Sequence, residues 1–225
     1  IIFNSDYADK LVFLGGTALR IIYGNTRFSE DLDFDNLGLN ETDLIQLGNV
    51  IKTNLELEGL NVEIKTVTHK AYRIKIKIPK LLFNIGLSPL PEQKILLQVD
   101  TAPQNFDYIP EKPFLNKFEI FTRIFVVPKD LLLSQKIYTA VNRNRTMGRD
   151  FFDIIFLFGR GAKPNYLYLE KHLQIHNQKE LKEYLLEKIT KFDFKKLTKD
   201  VEPFLMYPYE RQKVRWFPEY ITSSL

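Results

Sequence analysis

Asp31 and Asp33 stand two positions apart in the run Ser29-Glu30-Asp31-Leu32-Asp33-Phe34-Asp35. Acids alternate there with leucine and phenylalanine, the two-residue period of a half-buried strand. That period sets Asp31 and Asp33 on one face, about 6.5–7 Å apart along the chain. Like charges so close call for a counter-charge. A third acid, Asp100, ends the mostly apolar run Ile95-Leu96-Leu97-Gln98-Val99-Asp100. If the two runs are neighbours, three carboxylates meet at one edge of a sheet. Hard cations such as Mg²⁺ or Mn²⁺ take oxygen ligands, commonly one or two carboxylates completed by substrate phosphates. Two such ions about 3.5–4 Å apart activate a hydroxyl and stabilise the leaving oxygen of a phosphoryl-type transfer. Upstream, Gly15-Gly16-Thr17 lies between an apolar run and a helical pattern. Glycine lets a backbone approach phosphate closely, and a helix N-terminus favours anions. Thr17 adds a hydroxyl donor or a helix cap. Phosphate on the turn and metal on the acids describe a nucleoside triphosphate site. Taken singly, each part has a plainer reading: a GG pair is a common turn, and an acidic alternating strand is a common solvated face.

These side chains need a scaffold. Leu11–Leu14 reads as a buried strand, Thr17–Tyr23 as a short helix stopped by Gly24, and residues 30–35 as the acidic strand. An amphipathic helix is expected over 41–58, with Gly59 beyond it. Strands are expected over 61–67, 72–78 and 95–100, and a further one over 118–127 closed by Pro128. After Pro128 the period turns helical: 129–142, 149–158, 165–173, 178–190 and shorter pieces. The expected fold is therefore α+β. A mixed sheet flanked by helices (1–127) forms the core, and a helical C-terminal region (128–225) packs against it.

The combination of strand, GG-Thr turn, helix, Asp-x-Asp and a later strand-terminal Asp resembles the DNA polymerase β-like nucleotidyltransferase superfamily. The fuller string GGTALR…RFSEDLDFD resembles the AbiEii/AbiGii-type nucleotidyltransferases, toxins of type IV toxin–antitoxin systems linked to abortive infection. Arg27, Ser29, Asp31, Asp33 and Phe34 match that family's pattern in place, as does Lys136 followed by Arg149-Asp150 and Asp153. The resemblance covers about residues 11–158.

It implies NTP- and metal-dependent nucleotidyl transfer, a cognate antitoxin, and an RNA acceptor, the tRNA 3′ end. By this resemblance Gly15, Gly16, Thr17, Arg27, Ser29, Lys136 and Arg149 contact the nucleotide. Asp31, Asp33 and Asp100 hold the metal. Lys136 and Asp150 join the catalytic set, while the role of Asp153 stays open. The plainer reading of Lys136, Asp150 and Asp153 is a salt-bridge network between helices. Transfer to a small molecule or a protein, or a nucleotide-binding module without catalysis, are the competing functions.

Arg73, Lys75 and Lys77 alternate with Tyr72, Ile74, Ile76 and Ile78, giving a basic strand face near Lys65, Lys70 and Lys80. It suits an RNA backbone or a plain solvated face. His172 and His176 read as surface histidines. Lys213, Arg215, Trp216 and Phe217 read as a packing anchor, with base stacking as the alternative.

The bulk composition agrees with an ordered globular chain: 225 residues, 44% hydrophobic, 27% charged, 18 Phe and 11 Tyr. The absence of cysteine excludes disulfides, thiolate zinc sites and a thiol nucleophile, and suits a cytoplasmic protein. No apolar run reaches membrane-spanning length and no signal peptide is visible, so no membrane partner is expected. The chain opens on Ile1, from which a short preceding native segment is expected. Residues 1–127 carry 14 Lys+Arg against 16 Asp+Glu, and residues 128–225 carry 18 against 12. That asymmetry points to a cation site in the first part and a polyanion near the second, or to ordinary surface charge.

Overall fold

A computed structural model describes residues 1–69 and 72–225. The chain divides into two compact units: Ile1–Ala18 with Glu30–Val127, and Leu19–Ser29 with Pro128–Leu225.

The first unit is built on five strands: β1 (Leu11–Leu14), β2 (Leu32–Asn36), β3 (Glu63–Val67), β4 (Tyr72–Pro79) and β5 (Lys94–Ala102). Their order is β1-β2-β5-β4-β3. The β2–β5 pair is parallel and the others antiparallel, so the sheet is mixed. The period-2 pattern decides its two faces. Phe13, Phe34, Ile74, Ile76, Ile78 and Val99 are buried on one side. Helix α1 (Gly15–Ile21) starts in this unit, and α2 (Glu41–Leu57) packs on β3 and β4 through Leu44, Leu47 and Ile51. Each such side chain contributes about 1.5–3 kcal/mol when fully buried. The start of α2 is fixed by a capping box. Asn40 Oδ1 accepts from Asp43 N at 2.9 Å, and Asp43 Oδ2 accepts from Asn40 N at 3.2 Å. A single-turn α3 (Leu81–Asn84) precedes β5.

The expected strand over 118–127 is corrected by the structure. Residues 114–123 form a separate hairpin, β6 (Phe114–Lys117) and β7 (Ile120–Arg123), turning at Phe118 and Glu119 with φ of +54° and +62°. Neither turn residue is Gly or Asn, so the usual turn signal is absent from the sequence. The apolar run that follows lies along β1 instead: Phe13 N donates to Phe125 O, and Val127 N to Phe13 O.

The second unit is helical: α4 (Lys129–Asn142), α5 (Gly148–Gly159), α6 (Tyr166–Leu173), α7 (Gln178–Ile189), α8 (Phe194–Val201), α9 (Gln212–Arg215) and α10 (Phe217–Ser224). Helix α5 is apolar nearly all round, and Phe151, Phe152, Ile154, Phe156 and Leu157 are all buried, which makes it the central helix of this unit. Gly148 lets α8 come close: a Cβ there would lie 2.0 Å from the Leu197 carbonyl oxygen. Phe217 stacks edge-on against Phe151, with ring centroids 4.8 Å apart, and so fixes the C-terminus.

Candidate active site

The first unit gathers the acids on the sheet face opposite α2. Asp33 and Asp100 are register partners across the parallel β2–β5 pair. Asp31 lies one place before β2, and its Oδ1 accepts from Gln98 Nε2 at 3.0 Å. The glycine turn touches this group directly. Gly15 has φ +77°, and a Cβ added there would lie 2.4 Å from Asp33 Oδ2. Thr17 is buried, and its hydroxyl donates to the Asp31 carbonyl oxygen at 2.5 Å. The Thr17 proton is thus committed to holding the glycine turn against the acidic strand.

Arg73 is the counter-charge. It is the register partner of Asp100 on β4 and grips both carboxylate oxygens, Nε to Oδ1 and Nη2 to Oδ2 at 3.0 Å. The hydrogen bond to Asp100 raises the guanidinium pKa first, and the charges of Asp100, Asp31 and Asp33 raise it further. One cation therefore feels all three acids. Sequence reading grouped Arg73 with Lys75 and Lys77, because strand periodicity reports the face of a side chain but not its cross-strand partner.

The crowded acids of the opening motif have different fates. Glu30 is exposed. Asp35 is buried and structural, accepting from Gln104 N at 2.8 Å and Tyr108 Oη at 2.7 Å. Burial, with that hydrogen bond to Asp35, pushes the Tyr108 phenol well above its ordinary pKa.

Among the described residues, no group of three or more His, Cys, Asp or Glu is arranged to hold a metal ion by itself. The adjacent Asp33 and Asp100 offer an all-oxygen donor pair. That fits a hard cation completed by phosphate oxygens better than a closed protein cage. A cation at Asp100 competes with Arg73 for the same two oxygens.

The remaining predicted residues lie in the second unit. Asp153 is fully buried at the centre of an ionic cluster. Arg27 clamps it bidentately, Nε to Oδ1 and Nη2 to Oδ2, both at 2.6 Å. Asn25 Nδ2 adds a bond at 2.9 Å, and Lys136 Nζ sits 2.9 Å from Oδ2. Lys136 also reaches Asp150 at 3.1 Å, and Arg143 closes on the far oxygen of Asp150 at 3.0 Å. Burial alone would raise the Asp153 pKa, but Lys136 and Arg27 override it and hold the carboxyl below its usual range. Burial alone would likewise lower the Lys136 pKa, but Asp153 and Asp150 override it and raise the value. Arg149 lies over the Phe204 ring at 5.6 Å. Ser29 is partly exposed.

His172 is packed against the Tyr168 ring, and His176 faces Glu170 at 3.5 Å. Phe217 is buried, while Trp216 is 57% exposed beside Tyr209 and Tyr220 on a shallow apolar pocket. Lys70, counted with the basic face, lies outside the described residues.

A family profile described as "Nucleotidyl transferase AbiEii toxin, Type IV TA system" matches residues 2–217. The chain belongs to the AbiEii family. It is thereby a nucleotidyltransferase toxin of the type IV toxin–antitoxin class, and membership implies a cognate antitoxin. The match runs well beyond the motifs of residues 11–158. No curated protein matches significantly.

Among solved structures, the chain is similar to JHP933 from Helicobacter pylori, with TM-score 0.54, 20% identity, and coverage of 96% of this chain and 85% of that one. It is also similar to a candidate nucleotidyltransferase from H. pylori, with TM-score 0.52, 18% identity, and coverage of 96% and 88%. At these identities the likeness establishes the fold: an α+β nucleotidyltransferase-like core with a mixed five-stranded sheet, plus C-terminal helices. Among the described residues no helix of this AbiEii member is long and apolar enough to cross a membrane.

Proposed function

We propose that the protein transfers a nucleoside monophosphate from an NTP to an RNA hydroxyl, the 3′ end of tRNA, in a reaction that requires Mg²⁺ or Mn²⁺. The observation that carries this reading is the Asp33–Asp100 register pair, with Gly15 against Asp33 and Thr17 anchored to Asp31. Asp33 and Asp100 hold the cation, and Asp31 lies on the same face as a further oxygen donor. A divalent cation bound there would supply charge neutralisation and would acidify the acceptor hydroxyl. Gly15, Gly16 and Thr17 offer backbone N–H groups to the β- and γ-phosphates.

The acceptor oxygen attacks the α-phosphorus. A new P–O bond forms, the bond to the β-phosphate oxygen breaks, and pyrophosphate leaves. Asp100 takes the hydroxyl proton as general base, which requires Arg73 to release one of the two carboxylate oxygens it grips. In this reading Lys136, Ser29 and Arg149 serve the nucleotide phosphates, Asp150 orients Lys136 at 3.1 Å, and Arg27 acts through Asp153, which it clamps. The Arg27–Asp153–Lys136 cluster supports an equally concrete second role for Lys136 and Asp150: holding the second unit together as a buried ionic network.

The test is incubation with each α-labelled NTP, Mg²⁺ and total RNA. Label on RNA, one pyrophosphate released per label, and loss of both in Asp31→Ala and Asp33→Ala are expected. Label on a protein or small molecule with RNA unlabelled would replace the acceptor. Transfer unaffected by either substitution would remove the site.

A further inference from the structure

We infer that the open face of the sheet carries a track for the phosphodiester backbone of a single-stranded nucleic acid, formed by Lys65, Lys75 and Lys77 and leading away from the acids. The inference rests on the reading of RNA as the acceptor and adds the surface that would hold it.

The register lays the face out in rows. One row runs Asp33, Asp100, Arg73 across β2, β5 and β4. The next runs Asp31, Gln98, Lys75, Lys65, because Gln98 bonds Asp31, Lys75 is opposite Gln98, and Lys65 is opposite Lys75. The third runs Leu96, Lys77, Glu63. All these side chains share the face opposite α2, since Ile64, Ile74, Ile76 and Ile78 alternate to the other side. Strands are spaced about 4.8 Å apart, so Lys75 stands about two strand widths from the Asp31 position, and Lys65 a third.

The charges on this face are sorted. Arg73 is committed to Asp100, and Lys94 to Glu63 through both carboxylate oxygens at 2.7 and 3.0 Å. Lys77 retains only a longer-range attraction to Glu63. Lys65 and Lys75 have no ion pair among the described residues, and they stand directly opposite each other on an antiparallel pair. Like charges directly opposite on a sheet are destabilising. Lys65 and Lys77 are exposed and Leu96 is half exposed, so the face is open to a ligand. A repulsive lysine pair kept on an open face, beside a site that handles polyphosphate, matches a polyanion whose phosphates repeat along a flexible chain.

Anisotropy of a labelled single-stranded oligoribonucleotide tests this, measured without NTP or divalent cation between about 50 and 200 mM salt. Lys65→Gln and Lys75→Gln, singly and together, are expected to weaken binding. Each lost contact should flatten the slope of log K against log salt by about 0.7. Calorimetric NTP binding is expected to be unchanged, and the urea midpoint not to fall, since either substitution relieves the Lys65–Lys75 repulsion. RNA affinity and slope equal to wild type in the double variant overturn the inference. Loss of polyglutamate binding with RNA binding intact also overturns it, in favour of an acidic protein. Because the assay needs no chemistry, a failed label transfer with a responsive slope removes the catalytic reading and leaves the track. Transfer to RNA with an unresponsive slope does the reverse.

Discussion

Gly15 is the residue on which the site turns. Its positive φ and the 2.4 Å approach of a would-be Cβ to Asp33 Oδ2 mean that any side chain there both strains the backbone and displaces a carboxylate. Gly15→Ala is expected to cost about 1–3 kcal/mol and to abolish nucleotidyl transfer. Gly59→Ala isolates the backbone part, because Gly59 has φ +82° with nothing within 4 Å of its Cβ position. Urea melts of the two variants check this: equal losses would show that Asp33 does not press on Gly15. Arg73 is the second residue to probe. Arg73→Met removes the cation that feels all three acids, so divalent-cation affinity is expected to rise while the melt shifts little. A fall in cation affinity, read by isothermal titration, would show that Arg73 helps assemble the site.

At the scale of elements, the Arg27–Asp153–Lys136 cluster ties residues 25–27 to α4 and α5. Asp153→Asn leaves two buried cations short of a full counter-charge, and about 3–5 kcal/mol of destabilisation is expected from breaking such a network. The pH dependence follows from the shift directions. Asp153 is lowered on folding, so its contribution is fully present above its unfolded pKa, about 3.9, and is lost as pH falls through the folded value. Lys136 is raised, so its contribution persists below about 10.4 and is lost only in stronger alkali. Urea midpoints that follow the single Trp216 should therefore show wild type losing more stability than Asp153→Asn between about pH 4 and 2. Parallel losses would count against the cluster.

Much of the first unit was legible in the sequence, because β1, β2, β4 and β5 have sharp apolar or alternating patterns and α2 has an amphipathic pattern and a glycine stop. The β6–β7 hairpin was not, since Phe118 and Glu119 adopt turn conformations without turn residues. Asp153 stayed open because its clamp, Arg27, is 126 positions away and no local pattern reports it. The Arg73–Asp100 bond was hidden for the same reason, being a matter of register.

For the whole molecule, membership of the AbiEii family makes it a nucleotidyltransferase toxin with a cognate antitoxin. Induced expression of the wild type is expected to arrest growth, and Asp31→Ala with Asp33→Ala to relieve it at equal soluble levels. Persistent arrest would place toxicity outside the carboxylates. Acids from β2 and β5 are expected to share one divalent cation. Electron paramagnetic resonance of Mn²⁺ in the presence of NTP reads this without turnover. A bound-Mn²⁺ signal is expected in wild type, lost in Asp33→Asn and in Asp100→Asn with melting temperatures kept. Equal Mn²⁺ occupancy in all three proteins would contradict it.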